Sequence, residues 1–65
     1  MNDKKKTFER IMKETFRFRD RKRAFDFAAR CIKPHHVMLG DYPEYWVTTP
    51  ANAARLQRMG YEYAK

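Results

Sequence analysis

The sequence predicts a small α+β domain: an N-terminal helical segment (one long helix or two short ones), a β-hairpin, a short helix and a short C-terminal strand. Three observations predict it. Residues 3–33 contain no Gly or Pro and carry apolar residues at helical spacing. Residues 36–49 hold two β-favouring runs around a turn sequence. Residues 49–60 open on Thr-Pro and close on Gly, the start and stop signals of a helix. At 65 residues the chain is a single small domain. A domain of that size buries only about 60% of its unfolded surface. Its core rarely supplies more than about 3–5 kcal/mol. That leaves little room for an enclosed active site, a cofactor cleft or two packed layers on each side of a sheet.

Within residues 3–33 the apolar phase changes midway. Phe8, Ile11, Met12, Thr15 and Phe16 share one helical face. Ala24, Phe25, Ala28, Cys31 and Ile32 share another, pointing nearly the opposite way at about 100° per residue. The preferred reading is a break near Arg19-Asp20-Arg21, with Asp20 as N-cap of a second helix. The alternative is one long helix that buries its second face on another subunit. Phe18 falls on neither stripe. Residues 1–6, with Lys4, Lys5 and Lys6, read as a disordered basic tail.

Pro34 ends the helical region, because the residue before a proline disfavours the α conformation. His36-Val37-Met38-Leu39 reads as a strand, Gly40-Asp41-Tyr42-Pro43-Glu44 as a turn, and Tyr45-Trp46-Val47-Thr48-Thr49 as the returning strand. Strand alternation sets Tyr45 and Val47 on one face and Trp46 and Thr48 on the other. Whichever of Tyr45 and Trp46 faces inward belongs to the core. In the next helix Thr49 is the N-cap and Pro50 the first helical residue. Ala53, Leu56 and Met59 form its apolar face, and Gly60 takes the left-handed position past its end. A contact of Leu56 with Tyr61 would then close a Schellman motif. Tyr61-Glu62-Tyr63-Ala64 alternates and reads as a strand joining the hairpin.

The charge pattern addresses function. Lys and Arg number 15 against 8 Asp and Glu, a net charge of +7. Residues 1–33 hold 12 of the cations and five of the acids, so the whole excess lies in the first half. Its densest part is Arg17-Phe18-Arg19-Asp20-Arg21-Lys22-Arg23, with Lys4, Lys5 and Lys6 as a second cluster. Such density attracts phosphates by neutralising charge and releasing counterions, and arginine grips a phosphate through two N–H groups at once. Phe18, and Tyr42 in the turn, are the aromatic candidates for contact with bases or a partner. The competing interpretation is a solvated face that keeps the chain soluble, with Phe8, Phe16 and Phe25 in the core.

Catalysis has little to stand on. No acid pair stands out as a general acid/base couple, and two glycines make no phosphate-cradling loop. Cys31 lacks an orienting group and an oxyanion site for nucleophilic work. Cys31, His35 and His36 fall short of the four ligands in separated pairs that structural zinc takes, so no metal or other cofactor is expected. A lone cysteine makes no internal disulfide. No apolar segment follows the N-terminal charges, and no run approaches the roughly 18 apolar residues of a membrane span. The basic residues also surround the helix, leaving no wide apolar face to lie on a membrane. The expectation is a cytoplasmic, non-enzymatic accessory or regulatory protein that contacts the backbone of DNA or RNA. The alternative is an interaction module, an inhibitor or adaptor of the size and charge found in phage and plasmid proteins, docking its basic helix on an acidic protein surface. The composition is neutral about a homodimer.

Overall fold

The structure is a computed structural model that describes residues 3–65, with the side chains of residues 6–65. In chain order the elements are α1 (Asp3–Lys13), β1 (Phe16–Phe18), α2 (Arg21–Arg30), β2 (His36–Leu39), β3 (Tyr45–Thr48), α3 (Pro50–Arg58) and β4 (Glu62–Tyr63). The α+β class, the hairpin, the short helix and the terminal strand are all present. The four strands form one antiparallel sheet in the order β1-β3-β2-β4. Of the expected tail, residues 1–2 lie outside the described residues, and the backbone from Asp3 onward belongs to α1. No helix among the described residues is long and apolar enough to cross a membrane.

The helical region does break at the expected place. Asp20 has extended backbone, and its carboxylate accepts a hydrogen bond from the Arg23 N–H at 3.0 Å, capping α2. What the helical reading lacked is a strand before the break. Phe16, Arg17 and Phe18 pair with Val47, Trp46 and Tyr45 of β3. Phe16 therefore leaves the first helical stripe, and Phe18 fits neither stripe because it belongs to a period of two. Ile32 is corrected as well. Helix α2 ends at Arg30, the Cys31 cap turns to ψ 135°, and Ile32 stands 102% exposed beyond it.

Helices cover both faces of the sheet. On one face Ile11 of α1 and Ala53 and Leu56 of α3 bury Met38 and Trp46, with Phe8, Met12, Tyr61 and Tyr63 packed around them. On the other, Ala24 of α2 packs on Val37 and Val47, with Phe18, Phe25, Phe27, Ala28 and Tyr45 beside them. The two opposed stripes thus serve opposite sides of one sheet within one chain. Topology explains the arrangement. The connections β1-α2-β2 and β3-α3-β4 each join parallel strands across one intervening strand, and both step the same way across the sheet. Their strands run in opposite directions, so the right-handed crossover preference sends the two helices to opposite faces.

Trp46, at 1% exposure, anchors the first core. Its indole N–H donates to the Glu44 carboxylate at 2.9 Å, so the one polar atom of the ring is satisfied. Gly40 lies directly against the indole: a Cβ there would sit 2.3 Å from Trp46 Cε2. The end of α3 is built as expected. The Gly60 N–H donates to the Gln57 carbonyl and the Tyr61 N–H to the Leu56 carbonyl, each at 3.0 Å, which is the paired pattern of a Schellman motif. Gly60 carries the positive φ of 107°. Met59, expected on the apolar face, is the C-cap and is 38% exposed.

Candidate functional site

The basic cluster lies at the junction of β1 and α2, and the structure divides it. Arg17 is the middle residue of β1, opposite Trp46, so alternation turns it to the α1 and α3 side. There it lines an open groove with Phe8, Glu9, Met12 and Lys13. Arg19 is exposed in the connection. Arg21, Lys22 and Arg23 form the first turn of α2 and are all exposed. Arg23 lines a small depression with Phe18, Asp26, Phe27 and Arg30, on the α2 side of the sheet.

Arg21 is partly engaged by the fold. Its guanidinium lies 4.7 Å from the centre of the Phe25 ring and donates a hydrogen bond to the Lys65 main-chain carbonyl. This contact holds the segment after β4 against the start of α2. The cations best placed for an outside ligand are therefore Arg19, Lys22 and Arg23, with Arg17 facing the other way. Lys6 is exposed on α1, while Lys4 and Lys5 have side chains outside the described ones.

The electrostatics of this junction are unusual for a helix start. The N-terminal end of a helix carries partial positive charge, and its first N–H groups lack intrahelical partners. Acidic residues belong there. Helix α2 has none in its first turn and three cations instead, with Asp20 alone as a capping acid. Charges of the same sign as the helix end oppose its dipole, and an anion held at that end would relieve the opposition.

The aromatic candidates separate. Phe18 is half-buried, its ring centre 5.3 Å from that of Phe27, which in turn lies 4.7 Å from Phe16. One side of the Phe18 ring packs on Phe27, and Phe18 also lines the depression beside Arg23. Tyr42 at the hairpin tip is 97% exposed. Cys31, His35 and His36 do not converge. The Cys31 thiol donates to the Phe27 carbonyl at 3.4 Å, His35 Nδ1 lies 2.9 Å from the Lys33 carbonyl oxygen, and the His36 ring stands edge-on to Tyr63. Among the described residues no group of three or more His, Cys, Asp or Glu side chains is arranged to hold a metal ion.

A second group of cations was not legible in the sequence. Arg55 and Arg58 line an open depression of about 480 Å³ with Met59 of the α3 C-cap and Thr7 of α1. Residues 34–65 are neutral overall, which hid them. The spacing of three between Arg55 and Arg58, beside the buried positions Ala53 and Leu56, was the available signal.

At the hairpin end, Tyr61 donates its phenol proton to Asp41 at 3.2 Å. Its pKa is raised above 10.0, first by burial, then by the Asp41 charge and by the hydrogen bond that favours the protonated phenol.

No protein-family model, no curated protein and no solved structure matches this chain.

Proposed function

We propose that this chain is a small, non-enzymatic accessory protein that binds the phosphate backbone of a nucleic acid through the β1–α2 junction. Arg19, Lys22 and Arg23 supply the principal phosphate contacts, and Arg21 contributes while holding the C-terminal segment. The observation that carries this reading is the first turn of α2, where three exposed cations sit at a helix end already positive, with the Asp20 cap as the acid beside them. A purely solubilising surface gains nothing from placing its charges where the helix opposes them. A phosphate gains from both the guanidinium groups and the helix end.

Backbone binding of this kind is salt-dependent, with log Kobs falling against log salt in proportion to the phosphates neutralised. The test is the affinity of the chain for random DNA and RNA oligonucleotides across a salt series. The Lys22→Ala/Arg23→Ala double variant should show a slope shallower by roughly one unit per lost contact, with unchanged denaturation. An unaltered slope removes the β1–α2 junction from the interface. A chain that ignores nucleic acid but captures an acidic protein through the same residues is the interaction module instead.

A further inference from the structure

We propose that the depression between α1 and α3 is a separate phosphate-binding site, formed by Arg55, Arg58 and Thr7. It does not depend on the nucleic-acid reading, because its chemistry is that of a phosphate group, carried either by a nucleic-acid backbone or by a small phosphorylated molecule. Arg55 and Arg58 of one helix and Thr7 of the neighbouring one line an open depression of about 480 Å³, with Met59 as an apolar wall.

One of these arginines is oriented by a side chain from the interior. Asn52 is 3% exposed, and its Oδ1 accepts from Arg55 Nη1 at 3.3 Å. Its Nδ2 donates to Glu14 Oε1 at 2.8 Å. The carboxylate accepts only and the guanidinium donates only, so this amide has one satisfactory orientation. The chain Glu14–Asn52–Arg55 therefore orients the Arg55 guanidinium through Nη1, and no second side-chain hydrogen bond of that group is made among the described residues. A pre-oriented arginine loses less freedom on binding than a mobile one. The guanidinium fork suits the paired oxygens of a phosphate. Arg55 and Arg58 also lie in the last turn of α3, where the helix dipole favours cations. The dipole accounts for charge at these positions. It does not account for the buried amide that orients one of them.

The test is a titration of the isotopically labelled full chain with inorganic phosphate, followed by nuclear magnetic resonance against sodium chloride at matched ionic strength. Saturable shifts are expected at the Thr7 amide and at the Arg55 and Arg58 side-chain N–H signals, beyond those chloride produces. Arg55→Lys keeps the charge but not the fork and should weaken phosphate several-fold. The Arg55→Gln/Arg58→Gln pair should abolish saturation while its amide spectrum still shows the folded chain, and Arg58→Gln alone, which leaves the Asn52 contact in place, should weaken phosphate several-fold. In a parallel arm, a random oligonucleotide replaces phosphate. If the site takes backbone phosphates, the double variant also loses oligonucleotide affinity. If it takes a small phosphorylated molecule, oligonucleotide affinity is unchanged while phosphate binding is lost. Shifts no larger than those in chloride, or shifts that survive in the double variant, overturn the proposal. Failure of the nucleic-acid reading removes only the oligonucleotide signal and leaves the phosphate titration intact.

Discussion

The two glycines occupy positions that only glycine fills well, for different physical reasons. At Gly40 the obstacle is contact, since any Cβ meets the buried Trp46 indole. At Gly60 space is open, with nothing within 4 Å, and the obstacle is the φ of 107°. Gly60→Ala should cost about 1–3 kcal/mol through backbone strain. Gly60→Asn should cost less, since Asn tolerates positive φ better than most residues. Gly40→Ala should cost about 1–3 kcal/mol by overpacking a core that has nowhere to move, and Gly40→Asn should be no milder. Urea denaturation of the four variants separates strain from contact. Tyr61 gives a second residue-scale expectation. Its folded pKa is raised above the ordinary value of 10.0, so the folded state holds the phenol proton more tightly than the unfolded state does. The associated stability is fully present below pH 10.0 and is lost as pH rises through the higher folded value. Asp41→Asn removes two of the three causes and should lower the Tyr61 midpoint in an ultraviolet titration. A midpoint that stays in place would leave burial as the sole cause.

Among the elements, α3 was the most legible because its signals are chemical and local. Thr49 accepts from the Asn52 N–H at 3.3 Å, Pro50 follows, and Gly60 closes the end. The hairpin was legible because its two strands are apolar and β-branched around a turn. Strand β1 was not, because three residues between two helical stripes are too short for periodicity to register. Phe16-Arg17-Phe18 alternates, but only pairing with β3 gives that alternation meaning. The α2 cap was legible in Asp20, and it serves as the element-scale test. Asp20→Ala should cost about 1 kcal/mol by denaturation, through loss of the bond to the Arg23 N–H. Thr49→Ala should cost a similar amount. Asp20→Ala should also raise nucleic-acid affinity, because it removes the capping acid next to Arg21, Lys22 and Arg23. Thr49→Ala, on the far helix, should leave that affinity alone.

Across the whole molecule, charge counted along the chain differs from charge counted over the surface. The sequence places the entire excess in residues 1–33, and the structure then sends Arg17 to one side of the sheet and Arg23 and Arg30 to the other. Helix α3, from the neutral half, meets α1 and sets Arg55 and Arg58 beside Thr7. The basic residues were legible as residues, but their grouping was not, because it depends on the crossovers that place α2 and α3 on opposite faces. Tyr42 was legible as an exposed aromatic, whereas the packing of half-buried Phe18 on Phe27 was not legible until β1 existed to face it there. The positive surface at the β1–α2 junction is proposed to contact backbone phosphates. The most direct measurement is the salt dependence of binding to a random-sequence oligonucleotide, by the wild-type chain and by the Lys22→Ala/Arg23→Ala variant. The expected result is a steep loss of wild-type affinity with rising salt, and a slope shallower by roughly two units in the variant. Absence of binding even at low salt, or equal slopes for the two chains, would contradict it.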